Sequence, residues 1–459
     1  MAKTCLGLDL GSSAIKVAQV KMGRGGSVQL TAFGVEPVLP DAIVDGTIMN
    51  QGAVVDALRT LVTRLGLKQK EVALAISGHS VIIKKIFVPA MTEAELEEQI
   101  PWEAEQHIPF DKNDVEIDYQ LLTGKNPQGQ AEVLLVAAKK EVVRDYTAVA
   151  REAQLNPVVV DIAAFAVQNA YEAAYQAPGP GETVVLINIG ASLSNLNILL
   201  GGSSAFTRDV ATGGGAFTDE IKRQMNISHD DAEGIKYSAT EGRTTPQVDR
   251  LLTQIGDQMA GEFSKSLDFF LASHPETRVS RIVLSGGGAH IVSLHHAIAR
   301  RAHVEVEVMD PFRKMTVADP ARLDPAFLQA HAPQAAVVVG LALRTPGDKF
   351  QGFASTCCRS KPPSGVRQVS VRSWWGVRWW PRCCSGWSLS MVGRPPRMTD
   401  APESSWISIR KSASSSPRWA ISTPSRSSAM SFSATRRRFY GCSPRAVVPH
   451  MSCASFLRF

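Results

Sequence analysis

The apolar positions of the first 350 residues fall into two series of elements that open alike. Runs at about 4–10 and 14–21 flank Gly11-Ser12-Ser13 and predict a strand hairpin. A third apolar run covers 29–35. Val54, Val55, Leu58, Leu61 and Val62 recur at helical spacing, so 53–65 is expected to be a helix with one buried face. Val72 to Ile76 reads as a buried strand. The pattern restarts at Leu186-Ile187-Asn188-Ile189, turns at Gly190-Ala191-Ser192, and adds a third strand at 204–210. Helices are expected at about 215–225, 230–237 and 246–273. A strand at 281–285 runs into Gly286-Gly287-Gly288, and a last helix, about 333–344, is expected to close this half. The two openings sit about 179 residues apart, from Asp9 to Asn188, which marks an internal duplication.

Between them lies a segment of different texture. Val81 to Val88 reads as a strand, and Thr92-Glu93-Ala94-Glu95 as a capping box opening a helix to about His107. Pro101 is expected to kink or split that helix. Val115, Ile117, Tyr119 and Leu121 alternate as a half-solvated strand; 132–138 is another strand, and 141–152 a helix. A strand at 158–162 and a helix at 163–175 follow. Ala177-Pro178-Gly179-Pro180-Gly181 marks a boundary. The expected organisation is a first half of 1–79 with 157–176, an inserted α+β subdomain of 80–156, a second half of 181–348, and a tail of 349–459.

Charge changes the picture at the tail. The formal net charge of +6 averages two unlike pieces. Residues 1–350 hold 32 Lys and Arg against 41 Asp and Glu; residues 351–459 hold 17 against 2. Six of seven Cys and seven of eight Trp also fall after residue 350, so the body is acidic, Cys-poor and suited to the cytosol. No secretory signal or membrane-length apolar run is read. The tail lacks helical or strand periodicity. It is open to three readings: a basic nucleic-acid or membrane arm, a disordered extension, or translation in a shifted frame. Codon arithmetic favours the last. Reading the third base of each codon with the first two of the next permits Arg-Ile-Asn-Leu-Leu-Pro-Val from Phe353 to Ser360. From Ser373 to Cys384, where each Trp codon is TGG, the same shift yields an apolar run. No initiator Met is recovered before the first segment. The tail is therefore assigned no function.

The chemistry is expected at the two bends. Backbone N–H groups at a small-residue turn form an anion cradle, and two facing bends would grip a polyphosphate from both sides. Asp9, Gly11, Ser12 and Ser13 form the first; Asn188, Gly190, Ala191 and Ser192 the second. Asp9 also suits an Asx turn. Lys16 either reaches a phosphate or is a solvated strand lysine. Glu233 and Lys236, three apart on a helix, also suit a surface salt bridge. Gly214 and Gly215 precede a helix, and Gly286, Gly287 and Gly288 would let backbone approach a flat base. His107 and His290 have no partners at metal-ligand spacing, and Cys5 reads as core.

Two halves that each open on a phosphate hairpin, followed by a Gly-rich turn, resemble the actin-like ATPase superfamily of α/β, ribonuclease H-like duplicated folds. The run from Leu8 to Val20, Gln99-Ile100-Pro101-Trp102-Glu103-Ala104-Glu105-Gln106-His107-Ile108-Pro109-Phe110, Gly213-Gly214-Gly215-Ala216-Phe217-Thr218, Ala232-Glu233-Gly234-Ile235-Lys236 and Val338-Val339-Gly340-Leu341-Ala342-Leu343-Arg344 are similar to the PilM family of type IV pilus assembly proteins. The resemblance spans residues 1–345 and implies an inserted subdomain of FtsA type. It implies ATP with Mg2+ as cofactors: Asp9 would hold magnesium through water, the two bends the phosphates, Glu233 and Lys236 the ribose and base. Asn188 departs from the Asp common in the superfamily; it carries no charge and cannot serve as a base. Hydrolysis is expected to be weak or absent.

The same resemblance implies a role in twitching motility at the cytoplasmic face of the inner membrane, with indirect membrane association and no nucleic acid. Its implied partner is the N-terminal cytoplasmic segment of PilN, containing Ile-Asn-Leu-Leu-Pro, lodged between the inserted subdomain and the first half. Other platform proteins and cytoplasmic pilus ATPases would join it. The PilN gene commonly lies directly downstream, which gives the shifted tail a meaning. The alternatives are a small-molecule kinase of the same fold and an FtsA-like filament-forming division protein. A kinase needs a carboxylate base. FtsA usually ends in an amphipathic membrane helix, which is not read after Arg344.

Overall fold

The computed structural model describes residues 5–23, 26–123, 126 and 128–345, and the expectations for 349–459 lie outside them. The chain opens with three antiparallel strands, β1 (Leu6–Leu10), β2 (Ala14–Met22) and β3 (Val28–Pro37). The small hairpin β4 (Ile43–Val44) and β5 (Thr47–Ile48), helix α1 (Gln51–Leu65) and β6 (Glu71–Ile76) follow. α1 starts where the Asn50 side chain accepts the Ala53 N–H and stops at left-handed Gly66. Its five buried residues are the ones its spacing marked.

The inserted segment forms β7 (Val81–Pro89), α2 (Glu93–His107), β8 (Val115–Thr123) and β9 (Gln130–Lys139), an antiparallel sheet in the order β7-β9-β8. The Thr92–Glu95 capping box is formed. Pro101 does not split α2, which runs unbroken to His107. Leu96, Ile100 and Ala104 are buried on either side of it and anchor both halves of the helix to one small core, while Pro101 itself is exposed.

The next helix, α3 (Lys140–Glu152), falls within the segment 80–156 but packs elsewhere. Its buried Val142, Val143, Tyr146, Val149 and Ala150 join the core of the first sheet with Val54, Leu58 and Leu74. Strand β10 (Asn156–Ile162) then pairs parallel with β6, and α4 (Ala163–Ala174) crosses behind.

The second half repeats the first. It comprises β11 (Thr183–Ile189), β12 (Ser194–Leu200), β13 (Ser203–Val210), α5 (Gly215–Met225), α6 (His229–Thr240), α7 (Pro246–Ser273), β14 (Val279–Ser285), α8 (Val292–Ala302) and β15 (Val306–Val308). Its sheet order is β13-β12-β11-β14-β15, and the first half reads β3-β2-β1-β6-β10. In both, the first three strands are antiparallel and the last two parallel.

The end of the chain departs from expectation. β16 (Thr316–Val317) returns to pair with β3 of the first sheet. After α9 (Pro325–His331), helix α10 (Ala336–Ala342) lies on α4 and β1 instead of closing the second half. Two glycines permit this. A Cβ at Gly7 would strike the Val338 carbonyl and lie 2.8 Å from the Ala342 nitrogen; one at Gly340 would strike the Ala166 carbonyl. Helices α4 and α10 thus share one core with residues of both sheets, from Ala18 and Ala73 to Leu186 and Val283. Arg344 fixes the exit. It pairs with Asp161, only 1 % exposed, and its carbonyl accepts the Cys5 N–H at 3.0 Å.

Candidate functional site: a cleft between two bends

The bends at Gly11–Ser13 and Gly190–Ser192 meet across the halves, with Ser12 Oγ and Ser192 Oγ 2.9 Å apart. They line a cleft of about 480 Å³, a size suited to a small ligand. The strands force each turn: the Gly11 N–H donates to the Ala14 carbonyl (3.2 Å) and the Gly190 N–H to the Leu193 carbonyl (2.9 Å). Side chains are excluded there, because a Cβ would lie 2.9 Å from the Ala14 oxygen or 2.7 Å from the Leu193 oxygen. Among the described residues, the N–H groups of Ser12, Ser13, Ala191 and Ser192 have no backbone or side-chain acceptor. Four free donors on two facing bends suit a phosphate chain.

Asp9 and Lys16 stand opposite each other in the β1–β2 register, and Lys16 Nζ donates to Asp9 Oδ2 at 3.0 Å. Their side chains are 17 % and 12 % exposed, so Lys16 is not a solvated strand lysine. Asn188 and Asn195 occupy the same places in the second hairpin, joined by an amide hydrogen bond of 3.1 Å. A neutral pair therefore replaces an ion pair: the change at Asn188 is matched by a change at its partner.

Glu233 and Lys236 both line the cleft. Lys236 Nζ donates to Glu233 Oε1 (2.5 Å), Thr218 Oγ1 (2.7 Å) and the Gly214 carbonyl (3.3 Å). Thr218 also donates to Glu233. Burial pushes the Glu233 carboxyl up, but Lys236 and the Thr218 hydroxyl outweigh it and hold the group below its usual range. This cluster ties α6 to α5, with Lys236 largely covered and the Glu233 side chain partly exposed.

The glycines divide by role. Gly214 lines the cleft, but its N–H is committed to the Gly190 carbonyl at 2.8 Å. Gly215 is not among the lining residues; its N–H holds the Ala191 carbonyl at 2.8 Å from behind. Gly286 and Gly288 line the cleft, yet a Cβ on either would strike Ile189 of β11. Their smallness lets the loop seat on the second bend. Gly287, like Gly214, has ordinary room, a Cβ there lying 3.9 Å from Gln334.

Other lining residues escaped the sequence reading: Asn195, Leu193, Tyr237, His290 and Gln334. Asn195 had a signal, the i, i+7 register that also joins Asp9 to Lys16. His290 is held below the usual histidine range by burial, then by nearby His331. The carboxylates lining the cleft are Asp9, Glu233 and Glu241, and each already faces a cation, Lys16, Lys236 or Arg243. Among the described residues no three His, Cys, Asp or Glu side chains gather to hold a metal. No described helix is long and apolar enough to cross a membrane.

The family model of the type IV pilus assembly protein PilM matches residues 7–346. The chain belongs to this family. A solved structure described as a PilM–PilN type IV pilus biogenesis complex is 29% identical, with a TM-score of 0.68, over 76% of this chain and 100% of that one. The ethanolamine utilization protein EutJ from Carboxydothermus hydrogenoformans is 15% identical, with a TM-score of 0.46, over 75% and 90% of the two chains. Family membership and the repeated strand order identify the fold as actin-like, and the protein as a member of the pilus assembly apparatus.

Proposed function

We propose that the protein is a nucleotide-binding scaffold of the type IV pilus inner-membrane platform. The observation that carries this is the pair of facing bends, with four unpartnered N–H groups beside Asp9 and Lys16. Ser12, Ser13, Ala191 and Ser192 would hold the phosphates of ATP, with Lys16 supplying positive charge. Asp9 would hold magnesium through water, and the ion when bound would neutralise phosphate charge. Glu233, Lys236 and Gly287 would border the nucleoside. The donor set fits such a ligand, since the four free N–H groups and the Lys16 ammonium all offer hydrogens to an anion.

Binding is favoured over turnover. A general base needs a carboxylate free to accept a proton. The three that line the cleft are paired with cations, and Asn188 is engaged by Asn195 and by the Ser285 hydroxyl at 3.2 Å. The neighbouring Asp161 is sealed behind Arg344.

By family, the partner is the cytoplasmic segment of PilN with its Ile-Asn-Leu-Leu-Pro stretch, captured at the cytoplasmic face of the inner membrane, where other platform proteins and pilus ATPases assemble. The seam where Val81 and Ile83 of β7 and Leu134 of β9 meet the first core is a suitable place for it. Titration calorimetry of the full chain with ATP, with and without magnesium, tests the first claim; binding in the micromolar range is expected. Retention of the full chain on an Ile-Asn-Leu-Leu-Pro peptide, with and without ATP, tests the second. No retention in either state removes the partner.

A further inference from the structure

One row of polar side chains crosses four of the five strands of the second sheet at a single register. Ser285, Asn188, Asn195 and Asp209 are cross-strand neighbours on β14, β11, β12 and β13. Ser285 Oγ donates to Asn188 Oδ1 (3.2 Å), Asn188 Nδ2 to Asn195 Oδ1 (3.1 Å), and Asn195 Nδ2 to Asp209 Oδ1 (2.7 Å). The row then leaves the second half. The other Asp209 oxygen accepts the backbone N–H of Gly78 at 2.5 Å. The register of the first sheet puts Val35 where the second has Asp209, so nothing there makes the reciprocal contact.

Gly78 lies in the short connection between β6 and β7, where the inserted subdomain leaves the first half. Its φ of 95° suits glycine, and the Val81 N–H returns to its carbonyl at 3.0 Å. A second contact grips the same place. Leu193, in the second bend, points its Cδ1 into a notch bordered by Gly78 and Gly46, 3.2 and 3.8 Å from the Cβ each would carry. The row passes through Asn188 and Asn195 and the second contact starts at Leu193, all three lining the cleft, and both end at the root of the inserted subdomain.

We propose that Asp209 is a positioning residue that couples occupancy of the cleft to the root of the inserted subdomain. This rests on the nucleotide reading of the cleft. Each donor in the row points toward Asp209, so a ligand that re-aims Asn188 or Asn195 alters every bond beyond it. Asp209 needs both oxygens: one for Asn195, one for Gly78. Asparagine at 209 keeps the volume but offers one acceptor oxygen.

Hydrogen–deuterium exchange across residues 77–89 of the full chain, with and without saturating Mg-ATP, tests this. In the wild type ATP is expected to change exchange at 77–82 by at least about fivefold, the lower end of ordinary coupling. Asp209→Asn is expected to bind ATP, exchange faster at this segment in its absence, and lose most of the ATP response; Leu193→Ala is expected to lose part of it. A merely structural role would speed exchange but leave the ATP response intact, and that result overturns the proposal. So does a wild type that binds ATP with unchanged exchange at 77–82, an outcome that leaves the nucleotide reading standing and needs no variant to fold. A wild type that binds no ATP overturns both.

Discussion

Asp9 and Lys16 in one bend, Asn188 and Asn195 in the other, are the same two places filled by different chemistry. The single change Asn188→Asp leaves the partner unaltered, so a carboxylate oxygen would face Asn195 Oδ1 where an amide N–H now donates. Two opposed acceptors at a part-buried site cost about 1–3 kcal/mol. Asn188→Asp is therefore expected to lower the melting temperature in EDTA and to regain it with Mg-ATP, read by paired thermal melts. Lys16→Met strips Asp9 of its cation and removes the positive charge beside the first bend. Nucleotide affinity is expected to fall by about tenfold or more, the equivalent of one charge-assisted hydrogen bond, as calorimetry would show. Alternation told which face Lys16 occupies. It could not tell what that face meets, so the sequence left phosphate and solvent both open.

At the scale of elements, legibility followed length. Helix α1 announced its buried face because five apolar residues, Val54 to Val62, repeat over about two and a half turns. β15 and β16 span three and two residues, too short for any period, and α9 is a seven-residue helix. α3 was visible as a helix, but its helical spacing says nothing about which sheet it covers. The same holds for α10, whose place is decided by Gly7 and Gly340. Gly340→Val drives a side chain against the Ala166 backbone. It is expected to cost at least about 1–3 kcal/mol, seen as an earlier midpoint in urea. In β8, burial pushes the Asp118 carboxyl up from 3.8 to about 6, against the Tyr119 N–H and with help from the negative charge of Asp161. The folded protein thus holds this proton longer than the unfolded chain does. The stability it lends is full below about pH 4 and lost as pH rises toward 6. Asp118→Asn is expected to remove that slope and to raise the melting temperature more at pH 7 than at pH 4.

Across the whole molecule, both sheets contribute to one core through α4 and α10. The two halves are therefore expected to unfold in one transition. A nucleotide gripped by both bends should raise that transition as a unit, by about 2.7 kcal/mol at a ligand concentration a hundredfold above its Kd. Denaturant melts with and without Mg-ATP check it, and two separated transitions would contradict it. The duplication was legible because each half opens on the same bend. The return of the chain was not, because no local pattern records that residues 316–342 belong beside residues 5–30.

That return has a consequence for how the molecule is made. The face of β1 over Gly7 stays uncovered until Ala336–Ala342 has left the ribosome, so the first half to be synthesised is among the last to finish folding. A shift of reading frame upstream of Ala336 would deprive both halves of their shared helix. One downstream of Arg344 would spare every contact described between them, and the change of composition falls just beyond that point.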